Sequence, residues 1–172
     1  AEDLPTRHEP SLAAALNLQW EVLTGESARL ALFTAALFNE ATPLPRARLA
    51  LFSGLAEEPP EAGYPAALEE ALAELEDGAW VEHLDQRQLR LHPLVREYVL
   101  GRVEYLPALQ REAAGRAAAA LAEPAALEEA LLERGVEGVL EELRLAVEFG
   151  GGEDLPGKAG WPGLRALYRA LL

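Results

Sequence analysis

The sequence predicts a mainly α-helical chain interrupted by one β-hairpin. Three observations carry that expectation. Leu and Ala fill 67 of the 172 positions, and most of the charge sits on Glu (25 residues) and Arg (14), all strong helix formers. Isoleucine is absent, which leaves an extensive sheet little β-branched material to build from. A strand-like alternation of apolar and polar residues, bounded by turn residues, occurs convincingly only near Gln88–Leu91. A content of 50% apolar and 26% charged residues is that of a folded chain.

Taken in order, residues 1–10 are polar, contain two prolines and read as a linker. Ser11 is expected to cap a helix to about Leu23, with Leu12, Leu16, Trp20 and Leu23 on one face. Thr24-Gly25 ends it, and Glu26 to Asn39 follows with a Leu30, Phe33, Leu37 stripe. Pro45 suits the first position of a third helix that ends near Gly54. Residues 56–64 read as a loop. Pro65 then opens a fourth helix to Asp77, with Leu68, Leu72 and Leu75 inward and its acids outward. Ala79–Leu84 and Gln88–Leu91 are the hairpin strands around Asp85-Gln86-Arg87, Leu89 and Leu91 sharing a face and Arg90 pointing away. His92-Pro93 returns the period to helical, with Leu94, Val95, Tyr98, Val99 and Val103 apolar.

After Gly101, Pro107–Ala122, Pro124–Arg134 and Val136–Phe149 read as antiparallel helices. Their expected faces are Leu109/Ala113/Ala120/Leu121, Leu127/Leu131 and Val136/Leu140/Leu143/Val147. Residues 150–160 form a Gly-rich loop, and Leu164–Leu172 is amphipathic to its last residue, with no cap or breaker. That ending, and a chain without Met that opens at Ala1, lead us to expect a piece of a longer protein. The expected plan is a linker over 1–10, one domain over 11–103 and a helical-repeat-like region over 104–172, truncated at its C-terminus.

Three helices followed by a hairpin is the winged-helix order, in which the helix before the hairpin enters the DNA major groove. Here that helix, Pro65–Asp77, carries five acids and no base, inside a stretch from Glu57 to Asp77 with eight acids and no base. With a net charge of −14 the chain repels a phosphate backbone, and the hairpin adds only Arg87 and Arg90. No direct nucleic-acid binding and no docking on an anionic membrane are expected. The lack of Cys removes disulfides and thiolate chemistry. No apolar run approaches the roughly 20 residues of a membrane span and no signal peptide opens the chain, so a cytoplasmic location is expected.

Catalytic patterns are missing from the sequence. Gly152 to Lys158 fits G-x-x-x-x-G-K, but Ala159 stands where the phosphate loop needs the hydroxyl that ligates Mg²⁺, and Gly160-Trp161-Pro162-Gly163 interrupts the helix that should follow. His8, His83 and His92 lack metal-site spacing, and Ser11, Ser27 and Ser53 lack a nucleophile's context. The adjacent pairs Glu57-Glu58, Glu69-Glu70, Glu128-Glu129 and Glu141-Glu142 read as solvated faces, because neighbours on a helix point about 100° apart. Neither an enzyme nor a metal site is expected.

The remaining candidate is Leu91-His92-Pro93-Leu94-Val95-Arg96-Glu97-Tyr98. On the residues alone, His92 reads either as a partly buried histidine beside a helix N-terminus or as a ligand reaching outward from a strand-to-helix junction. The helix order with its hairpin, ending in this LHPLVREY run, resembles the winged-helix segment of STAND-class signalling NTPases of the NB-ARC type, over roughly Ser11–Val103. In that family the junction histidine contacts the β-phosphate of bound ADP and helps hold the closed, inactive state. The resemblance implies that role for His92 alone; Leu91 and Pro93 stand where the family commonly has Met and Asp. Residues 105–172 look like the start of the helical-repeat, TPR-like sensor region of such proteins. The resemblance therefore implies a non-catalytic regulatory fragment. Its winged helix would pack on an NTPase domain absent from this chain, and its repeats would bind a protein or small-molecule ligand. ADP or ATP with Mg would be held by the parent protein, and the fragment itself would carry no cofactor. The alternatives are a DNA-binding winged-helix transcriptional regulator and a plain helical-repeat interaction scaffold.

Overall fold

A computed structural model of the chain describes residues 9–38, 42–57, 63–104, 106–122, 124–149 and 161–172. The chain is mainly helical with a small antiparallel sheet. In order the elements are α1 (Glu9–Val22), α2 (Glu26–Ala36), β1 (Leu44–Pro45), α3 (Arg46–Ser53), α4 (Ala66–Asp77), β2 (Glu82–His83), β3 (Gln88–Arg90), α5 (Pro93–Leu100), α6 (Leu106–Leu121), α7 (Pro124–Phe149) and α8 (Trp161–Leu171). Residues 1–8 of the expected linker, Asn39, residues 58–62 of the expected loop and the whole 150–160 stretch with Lys158 lie outside the described residues.

Several boundaries differ from the sequence expectation. Helix α1 begins at Glu9, so Ser11 lies inside it and is not its cap. Helix α2 ends at Ala36 with Leu37 as its C-cap. Pro45 is not the first helical residue. It caps α3 from an extended conformation (φ −63°, ψ 135°) and belongs to a third strand, β1, that the sequence did not suggest. The strand order is β1-β3-β2, with Leu44 opposite Leu89, Pro45 opposite Gln88, and Glu82 and His83 opposite Arg90 and Leu89. Two residues are too few to show a period, and proline, which lacks an N–H, is tolerated because β1 is an edge strand. The hairpin strands are shorter than expected. Its turn closes where expected, with Asp85 Oδ1 accepting from the N–H groups of Arg87 (2.6 Å) and Gln88 (2.8 Å). Leu89 and Leu91 are buried, while Arg90 turns outward and pairs with Glu82 at 2.8 Å.

The α4 leucines Leu68, Leu72 and Leu75 are buried as the periodicity requires. Its acids are not all outward: Glu74 Oε1 accepts from the N–H groups of Thr24 (2.9 Å) and Gly25 (3.0 Å), satisfying backbone donors at the entry to α2. The most enclosed residues of α2 are Ala28, Ala31, Leu32, Thr34, Ala35 and Ala36, whereas Leu30 and Phe33 of the expected stripe are half-buried. Helix α2 touches α3, α4, α5 and α6, and a helix enclosed on several sides has no single apolar stripe to read. Leu12, expected inside, is exposed.

Helices α6 and α7 pack together, and α6 also packs on α3. Alanine supplies most of the buried face of α6 (Ala113, Ala114, Ala117, Ala118), which lets its neighbours approach closely. Helix α7 breaks at Gly135 (φ 69°, ψ −179°), where the sequence placed the boundary between two helices. Beyond the break the buried residues are Val139, Glu142, Leu143, Leu145 and Ala146, and Val136, expected inside, is 47% exposed. One hydrophobic core runs without interruption from Leu16 to Ala146.

Arginine closes several helix ends. Leu37 O accepts from Arg144 (2.8 Å), Phe38 O from Arg96 (2.7 Å) and Phe52 O from Arg116 (2.9 Å), covering carbonyls that a helix C-terminus leaves unpaired. Burial works against the charge of Arg144, but Glu141 and Glu148 outweigh it and hold its pKa above the ordinary value. Tyr168 on α8 donates to Glu148 at 3.1 Å, and burial together with that carboxylate pushes its phenol up.

Candidate functional site

The junction after β3 is where local chemistry places an outward-facing side chain. Leu91 is buried and anchors the strand end. His92 follows in an extended conformation (φ −64°, ψ 140°) as the N-cap of α5, with Pro93 at the first helical position, where no N–H is needed. The Leu94 N–H donates to His92 Nδ1 at 3.2 Å. With Nδ1 accepting, the neutral ring carries its proton on Nε2, and the exposed side chain presents that N–H to solvent. The junction is firmly mounted. Val99 of α5 is buried, Arg96 holds Phe38 O, and Tyr98 meets the Trp20 and Trp80 rings at 6.1 Å each. Tyr98 Oη also donates to Asn17 Oδ1 at 2.8 Å, fastening α5 to α1.

The other histidine among the described residues has a different setting. Arg46 donates to His83 Nδ1, and His83 Nε2 lies 2.5 Å from Glu76 Oε1, so β2, α3 and α4 are tied together. Glu69, Glu70 and Asp77 of α4 remain exposed, as does Arg87 at the hairpin tip. Among the described residues no group of three or more acidic or imidazole side chains converges as a metal ion requires, and no helix is long and apolar enough to cross a membrane.

The expectation that Glu141-Glu142 forms a solvated face is overturned. Glu142 is 1% exposed and lies between two arginines. Arg48 Nε donates to Oε1 at 2.9 Å and its Nη2 donates to Oε2; Arg134 Nη1 donates to Oε1 and its Nη2 to Oε2 at 3.3 Å. Arg48 also lies over the Phe52 ring, 5.0 Å from its centroid. No local signal marks this triad, because Arg48 is 94 residues away in sequence. A cleft of about 270 Å³ opens beside it, bordered by Pro43, Pro45, Gln88 and Gly138. Its one lining guanidinium, Arg134, is committed to Glu142, and the remaining polar lining is Thr42, Gln88 and the carboxylates of Glu133 and Glu137.

The chain matches no family model, no curated protein and no solved structure.

Proposed function

We propose that this chain is a non-catalytic regulatory unit of a STAND-class signalling NTPase, a winged-helix body followed by the first helices of a repeat region. The observation that carries the proposal is the placement of His92: exposed, at a helix N-cap, with Nδ1 accepting from the Leu94 N–H and Nε2 left as the outward ring nitrogen. A neutral imidazole presented in this way suits one hydrogen bond to an anionic oxygen, such as a phosphate oxygen of ADP held by a neighbouring domain. Nothing in the sequence would grip a nucleotide by itself, since the single G-x-x-x-x-G-K match lacks its hydroxyl residue. His92 therefore tunes a site built elsewhere and does no chemistry there. A ligand on the repeats would act by favouring either the closed or the open arrangement.

The test is His92→Ala in the full-length parent, with ADP affinity and basal activity measured. One hydrogen bond to a charged group contributes on the order of 1.5–3 kcal/mol, so ADP should bind roughly 10- to 150-fold more weakly and basal activity should rise. Unchanged ADP affinity with unchanged basal activity sinks the proposal. A DNA-binding role finds no support in the exposed acids of α4, and the paired strands β2 and β3 favour a wing over an incidental hairpin on a plain scaffold.

A further inference from the structure

We infer that Glu142 is a charge-locked latch that joins the sheet-bearing half (α1–α5) and the C-terminal helices (α6–α8) into one body, and that the break at Gly135 is what allows the latch to close. Arg48 enters it from α3, Arg134 comes from before the break in α7 and Glu142 from after it. In an unbroken helix, residues 134 and 142 would stand about 12 Å apart along the axis, too far for a paired guanidinium and carboxylate to meet easily. The break folds Arg134 back, so that it reaches both Gly138 O (3.3 Å) and Glu142. Gly135 holds φ +69° with ψ −179°, a combination open essentially to glycine alone.

The latch has the energetics of a two-state joint. Once closed, the two arginines share Glu142 as their counter-charge and Glu142 has donors at both oxygens. Partial opening would leave a charge in a low-dielectric interface without its partner, so intermediate arrangements are penalised and the joint is either closed or lost. Arg116 on Phe52 O and Arg144 on Leu37 O brace the same interface from α6 and α7. This proposal does not depend on a nucleotide role for His92, and it stands even where His92→Ala leaves ADP affinity unchanged.

Hydrogen–deuterium exchange of the whole chain across a urea series tests it, read separately in peptides from α2, α4 and α5 and in peptides from α6 and α7. In the wild type both sets should lose protection at the same urea concentration. In Glu142→Gln, α6 and the second part of α7 should lose protection first, and exchange there without urea should rise roughly a hundredfold or more. Gly135→Ala should act in the same direction to a smaller extent. A methyl there meets no atom within 4 Å, so only the backbone strain is probed. Separate loss of protection in the wild type overturns the proposal. So does a Glu142→Gln variant in which both halves weaken equally, since the triad would then be an ordinary stabilising contact. Where Glu142→Gln does not fold, Gly135→Ala supplies the same two outcomes.

Discussion

His92 and Glu142 are both charge-capable side chains held by hydrogen bonds, yet they belong to opposite kinds of site. His92 is exposed and held by one 3.2 Å bond from a residue two positions along. Glu142 is enclosed and receives four bonds, two from a residue 94 positions away and two from one 8 positions away. A side chain that meets an outside partner can be placed by its local chain, here a strand end, a proline and a helix start. A side chain that holds the molecule together is placed by elements meeting in three dimensions. The two should therefore respond differently to mutation.

The largest effect is expected at the enclosed site. Glu142→Gln leaves two guanidinium groups without a counter-charge and should lower the unfolding free energy by about 3–5 kcal/mol in urea titrations. A loss below about 1 kcal/mol would put the triad on a level with a surface pair and erase the contrast. Glu74 lies between the extremes, half-buried and capping the entry to α2 with two bonds. Glu74→Ala should cost about 1 kcal/mol, seen as a lowered thermal midpoint, and no change would mean that solvent replaces the cap fully. The smallest effect belongs to His92. His92→Ala removes one exposed N-cap bond and should cost about 0.5 kcal/mol in the same titrations, the low end for a lost cap. A larger loss would move His92 to the structural side of the comparison.

What could be read from the sequence divides along the same line. The helices, the hairpin turn at Asp85 and the burial of Leu68, Leu72, Leu75 and Leu89 follow from patterns a few residues long. The left-handed Gly54 (φ 77°) closes α3 where glycine suggested an end, and Gly135 breaks α7 where the two helical patterns met. Strand β1 was not readable, because two residues, one of them a proline, carry no period and its partner lies more than forty positions away. The alanine face of α2 was hidden for another reason: leucine and phenylalanine dominate a hydrophobic stripe, while close helix contact selects for small size. Glu142 looked like its neighbour Glu141, and the arrival of Arg48 and Arg134 distinguishes them.

The preference for arginine over lysine, 14 to one, has a consequence for how this interface can be regulated. The joints at Leu37 O, Phe38 O, Phe52 O and Glu142 are all made by guanidinium groups, whose planar forks can hold a carboxylate by two parallel bonds. Acetylation, which silences a lysine by removing its charge, finds no substrate at these joints. Amine-reactive reagents likewise meet no lysine at any of these joints, so the contacts that hold the interface are open only to guanidinium chemistry or to substitution.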